Sequence, residues 1–245
     1  MIYQLATLLL APVFYVQGRY VKRVTPVLAE PAGARAGQVG CGPELSLLIV
    51  GDSAAAGVGV EHQYAALSGQ VLGPLSSTRA VSWQLMAKSG DASAQLLASL
   101  RQSPARHFDA VLVSIGVNDV TGLTREARWA SNLQAIIDTL QSRFGARVIY
   151  FSGLPPMQYF PALPQPLRWW LGWRAQRLNI RLQAVVGGYE GCEYVELAAL
   201  LDGGDIAADG FHPGGEAYRR WGEQVAARIQ ADGVIALAPE GADNP

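Results

Sequence analysis

Ser53 stands in the run LLIVGDSAAAGVG, where a polar turn follows an apolar stretch. A serine hydroxyl is a weak nucleophile, and it attacks a carbonyl only when a base takes its proton and a third group orients that base. His212, in DGFHP, is the candidate base, and Asp209, three residues earlier, is the candidate orienting acid. In a short turn this i, i+3 spacing sets both side chains on one side of the backbone. An oxyanion would also need donors, each typically worth ~10²–10³ in rate. The candidates are the Ser53 N–H, the N–H of Gly90 in KSGDAS, and the side-chain amide of Asn118 in GVND. Taken singly, each has an ordinary structural use: Ser53 as a helix cap, Gly90 and Asn118 as turn formers.

Rivals for these roles are few. Of the three histidines, His107 precedes an apolar run and belongs to the opposite end of the sheet from Ser53. His62 lies nine residues after Ser53 without an acid three residues before it. Both are expected to be surface side chains. Asp202 and Asp205 are nearby acids, but the spacing in DGFH selects Asp209. Two cysteines and three histidines provide neither a four-ligand zinc site nor a multi-histidine metal centre, so neither a metal nor any other cofactor is expected.

Something must bring these distant residues together. From Leu45 onward, apolar runs suited to buried strands fall at Leu45–Val50, Ala80–Met86, Ala110–Ile115, Arg147–Phe151 and Glu193–Leu197. Helical patterns fall near Tyr64–Leu72, Ala92–Arg101, Arg125–Phe144, Leu167–Val186 and Gly214–Gln230. Such alternation predicts an α/β fold, a doubly wound parallel sheet with helices on both faces. Ligands of these sheets bind beyond the carboxyl ends of the strands. Gly51–Ser53, Ser89–Asp91, Gly116–Asp119 and Asp209–His212 each follow an apolar run, so one sheet edge collects them all.

This ordered set resembles the SGNH, or GDSL-type, serine hydrolases, an esterase, lipase and lysophospholipase-like family. Its signature Ser, Gly, Asn and His match Ser53, Gly90, Asn118 and His212, over roughly Leu45 to Ile229. The resemblance implies a flavodoxin-like sheet of five strands in the order 2-1-3-4-5. It also implies metal-free hydrolysis of carboxylic esters through an acyl-serine, with Asp209 as triad acid. Many members carry an Asn shortly before the glycine, whereas here Gln84 to Lys88 precede Ser89-Gly90. No GxSxG surrounds Ser53, unlike an ordinary α/β-hydrolase. Alternatives are an acyltransferase or thioesterase with the same site, and a non-catalytic flavodoxin-like module. For the latter, GDSAAAGVG is neither GxGxxG nor GxxxxGK[ST].

Composition bounds the rest. Of 245 residues, 50% are hydrophobic and 16% charged, against roughly 25% charged in average domains; a disordered chain is excluded. A net charge of −1 with scattered Lys and Arg excludes nucleic acid as a partner. The expected partner is a small ester with an apolar acyl or aryl group. Its pocket rim is expected from GLPPMQYFPALPQPLRWWLGWRAQ, with Met157, Tyr159, Phe160, Trp169, Trp170 and Trp173.

Residues 1–18 hold no charge, and Arg19, Lys22 and Arg23 follow. Residues 1–25 are thus read as an apolar helix that contacts a membrane, with docking on the domain or a sister subunit as the alternative. Charges after rather than before the apolar run do not suit a secretory signal. A Gly, Ala and Pro-rich linker over 26–43, the domain over 44–235 and a tail over 236–245 complete the organisation. With the strand order above, the first and fifth strands lie about 14 Å apart at ~4.8 Å per strand. Cys41 and Cys192, which precede them, are therefore expected as free thiols, since a disulfide needs Cα atoms within ~7 Å. A cytoplasmic or membrane-associated location is expected over a secreted one.

Overall fold

The computed structural model describes residues 2–197 and 205–233. Six strands form one sheet: β1 (Ala36–Val39), β2 (Glu44–Gly51), β3 (Ala80–Ala87), β4 (Ala110–Ser114), β5 (Val148–Ser152) and β6 (Cys192–Val195). Their spatial order is β1-β3-β2-β4-β5-β6. Strands β3, β2, β4, β5 and β6 are all parallel, in the expected order, and β1 is added antiparallel to β3. The sheet is therefore mixed, with one strand more than expected. β1 falls inside the stretch read as linker because all four of its residues are exposed. It is held by backbone pairing to the free edge of β3, and no apolar pattern announces it.

The central strands are buried on both faces, as their continuous apolar runs require. Leu48 and Val50 of β2, with Val111 and Val113 of β4, face a core shared with α4 (Ser93–Gln102), α6 (Glu126–Phe144) and α7 (Leu167–Val186). Leu47 and Ile49 of β2, with Leu112 of β4, face the opposite core under α3 (Leu67–Ser76) and α8 (Gly215–Ala231). The period of two in a strand thus sorts neighbouring residues into two separate cores. Two short helices, α2 (Ser53–Ala56) and α5 (Val117–Thr121), start at the carboxyl ends of β2 and β4.

The N-terminal helix α1 (Ile2–Val24) lies outside these layers, against α7. Phe14 stacks on Trp170 at 4.7 Å between centroids, and the Trp170 indole donates to Thr7 Oγ1 at 2.9 Å. Gln17 donates to the Gln165 carbonyl at 2.7 Å and accepts from the Leu167 N–H at 3.1 Å. Among the described residues, no helix is long and apolar enough to cross a membrane. Cys41 and Cys192 are both free thiols.

Candidate active site

Ser53 is the first residue of α2, directly beyond β2. Asp52 caps this helix by accepting the Ala54 N–H at 3.0 Å. His212 reaches Ser53 from the far end of the domain, with Nε2 2.8 Å from the serine Oγ. Its other ring nitrogen, Nδ1, lies 2.5 Å from Oδ2 of Asp209. A carboxylate there fixes the proton on Nδ1 and leaves Nε2 to accept from the serine hydroxyl. Asp209 Oδ1 meanwhile accepts the backbone N–H groups of Phe211 and His212, at 2.9 and 3.0 Å. Burial acts to raise the Asp209 carboxyl, but the His212 ring and these two N–H groups prevail and hold it below the usual carboxylate range.

The loop that carries Asp209 and His212 closes on itself. Ala207 N–H donates to the His212 carbonyl at 2.8 Å and Gly214 N–H to the Asp205 carbonyl at 3.0 Å. The Asp205 carboxylate accepts the Ala217 N–H at 2.7 Å in the first turn of α8. That rival acid is a helix cap; Asp202 lies outside the described residues. Gly59 brings the loop against the α2 turn. At φ +116°, a Cβ on Gly59 would lie 2.2 Å from the Pro213 carbonyl oxygen, so only glycine admits this approach.

The candidate donors Gly90 and Asn118 sit on the loop after β3 and on helix α5, and neither lines the cleft at Ser53. Gly90 is at φ +88° with open space where a side chain would be. Asn118 Nδ2 donates to the Asp91 carbonyl at 3.0 Å, which ties α5 to the Gly90 loop and leaves a second amide hydrogen for a ligand. Two further contacts fix the loop, and neither was read from the sequence. Buried Asp119 accepts the Ser93 N–H at 2.8 Å and the Ser93 hydroxyl at 2.7 Å, with Asn132 bonded to the same hydroxyl at 2.8 Å. From the other side, Glu30 accepts the Ser89 N–H and hydroxyl at 3.0 and 2.7 Å and pairs with Arg35, whose guanidinium also donates to the Ala87 carbonyl. A polar residue directly after Asn118 was the available signal for the first clamp; nothing local marks Glu30.

The cleft at Ser53 holds about 630 Å³ of empty space, its open mouth included, and its lining is mostly apolar. Ile115, Val117, Phe160, Ile206, Phe211 and Trp221 line it beside Ser53 and His212. Phe211 meets the His212 ring edge-on at 5.7 Å and Phe160 at 5.0 Å. Of the aromatic group expected at the rim, only Phe160 lines the cleft. Met157 is buried in the core, Trp170 is taken up by α1, and Trp169 and Trp173 line a separate hollow with Gln176 and Asn179. An amphipathic helix cannot aim all its aromatics at one site, and α1 claims a face the sequence left unassigned. His62 stacks on Tyr64 at the surface, and exposed His107 stands 3.7 Å from Asp109. Asp52 lines the cleft while fully buried. Burial, with the charges of Asp119 and Asp91 adding to it, pushes its carboxyl up to about 7.

The sequence profile of the GDSL-like lipase/acylhydrolase family matches residues 49–220, from β2 into α8. The chain belongs to this family. A comparison with the curated proteins finds no match. Among solved structures, a lipolytic G-D-S-L family protein from Veillonella parvula is similar at TM-score 0.61 and 12% identity, over 76% of this chain and 98% of that one. Est24, a carbohydrate acetylesterase from Sinorhizobium meliloti, is similar at TM-score 0.55 and 17% identity, over 76% and 99%. TesA is similar at TM-score 0.55 and 25% identity, over 76% and 98%. This GDSL-family chain is accordingly an enzyme of the lipase/acylhydrolase type, and α1 and β1 lie outside the matched family segment.

Proposed function

We propose that the chain hydrolyses esters of apolar acyl or aryl acids through an acyl-serine intermediate on Ser53. The observation that carries this is the continuous line from Ser53 Oγ through both nitrogens of His212 to Asp209, at 2.8 and 2.5 Å. Ser53 Oγ attacks the ester carbonyl carbon as its proton passes to His212 Nε2. Asp209, held ionised, stabilises the imidazolium and keeps the ring in place. The carbonyl oxygen, now negative, accepts from the N–H groups of Ser53 and Gly90 and from the Asn118 amide. When the intermediate collapses, the C–O bond to the alcohol breaks and His212 returns the proton to the leaving oxygen. Water then repeats the sequence on the acyl-serine, freeing the acid and restoring the Ser53 hydroxyl. The apolar lining of the cleft, with Phe160 and Phe211, supports an uncharged acyl or aryl group.

Transfer of the acyl group to an alcohol, or attack on a thioester, would use the same atoms. A fluorophosphonate probe tests the nucleophile directly. The expected result is one adduct, on Ser53, with loss of p-nitrophenyl ester hydrolysis; an adduct on another serine, or full labelling of Ser53→Ala, overturns the assignment. Product analysis with added alcohol separates hydrolysis from transfer.

A further inference from the structure

We propose that α1 lies in the plane of an anionic membrane surface, with its outward apolar face in the lipid and its cations on the headgroups. The helix has two apolar faces. Thr7, Leu10, Phe14, Gln17 and Val21 recur at three- and four-residue spacing and are buried or half-buried against the domain. On the opposite face Leu9, Val13, Val16 and Tyr20 are 71%, 41%, 65% and 58% exposed. A helix that is apolar all round is ordinarily covered all round, yet this one is covered on one side only.

Charge decides between the possible occupants. Arg19, Lys22 and Arg23 are exposed in the last turns of α1, and Glu30 is the first acidic residue of the chain. Among the described residues none of the three cations is paired with a carboxylate. A second copy of the chain laid parallel along this face would bring like charges together. Laid antiparallel and centred on Val16, it would set Arg23 against Leu9. An anionic lipid surface answers both features, taking apolar side chains at its acyl boundary and cations at its headgroups. Tyr15 and Tyr20, 65% and 58% exposed, suit the boundary between them. Among the described residues no helix is long and apolar enough to cross a membrane, and with one face docked on the domain α1 is placed on the surface.

One flank of α1 also walls an apolar groove. Ala11, Tyr15 and Gly18 line it from the helix, Leu163 and Trp170 from the domain. Phe211 lines both this groove and the cleft at Ser53. On the reading of the site given above, an ester dissolved in the lipid would therefore stand one aromatic ring from His212.

Flotation of the full chain with phosphatidylcholine vesicles, with and without phosphatidylglycerol, tests the proposal. The chain is expected to float with the anionic vesicles and to be released by high salt. Leu9→Glu with Val16→Glu should abolish flotation, and R19Q/K22Q/R23Q should weaken it roughly a hundredfold, at about fivefold per cation. Both variants are expected to keep the wild-type rate on soluble p-nitrophenyl acetate. Absence of flotation in the wild type, or flotation unchanged in L9E/V16E, overturns the proposal. So does a dimer seen by sedimentation that L9E/V16E dissociates, since α1 would then be covered by a second copy. Flotation does not depend on which serine reacts, so a failure here and a failure of the Ser53 assignment are read separately.

Discussion

On the proposed mechanism the Ser53 hydroxyl depends on the base 2.8 Å away that accepts its proton and on the donors that would receive the oxyanion. Ser53→Ala removes the proposed attacking atom in a half-exposed position, so hydrolysis of p-nitrophenyl esters should vanish while the circular dichroism spectrum stays unchanged. Asn118→Ala removes one donor, and kcat should fall ~10²–10³-fold with little change in KM. Asp209→Asn keeps the shape but lets the ring adopt the wrong tautomer, so kcat should fall by about 10⁴. These residues were legible in the sequence because each follows an apolar run with a small or polar signature. The cleft lining was less so. Phe211 and Val117 stand beside Asn118 and His212 in the chain, but which apolar side chains face a cavity depends on packing between α5, β5 and the Asp209 loop.

The elements act as brackets. Asp119, buried, joins α5 to the start of α4 through both polar groups of Ser93. Asp119→Ala should lower stability by about 2–4 kcal/mol, measured by urea unfolding, because the Ser93 and Asn132 groups lose a charged partner. It should also lower kcat more than KM, because Asn118 and the Gly90 loop lose a common support. Gly59→Ala should act on the other bracket, pushing the Pro213 carbonyl away and drawing His212 from Ser53. Its signature is a fall in kcat together with a lowered melting temperature. At this scale the parallel strands were legible to within one or two residues, since strands buried on both faces leave continuous apolar runs. Helix α7 was legible over its whole length. α3 runs Leu67–Ser76 rather than Tyr64–Leu72, because it continues through Gly73 and Pro74, which ordinarily mark an end. β1, fully exposed, left no pattern at all.

Over the whole molecule, two carboxyls pull stability in opposite directions with pH. Asp52 keeps its proton up to about pH 7 in the folded chain and loses it near pH 4 when unfolded. The unfolded chain then binds fewer protons, so stability falls as pH rises from about 4 to about 7, by at most about 4 kcal/mol. Asp209, held low, contributes above its unfolded value and loses that contribution as pH falls through its lowered folded one. Between about pH 5 and 7 the Asp52 effect dominates, and denaturant unfolding of Asp52→Asn should vary less with pH than the wild type. Asparagine keeps the acceptor for the Ala54 N–H, so the cap survives the change.

The Glu30 contact makes the point at which the N-terminal segment is cut consequential. A version beginning after Thr25 sheds the outer helix but retains the tether to Ser89. One beginning after Arg35 severs it, and the Gly90 loop is left hanging from β3 without its outer guy-rope. The two truncations should therefore part company on the smallest soluble esters: the longer form near full turnover, the shorter one slowed.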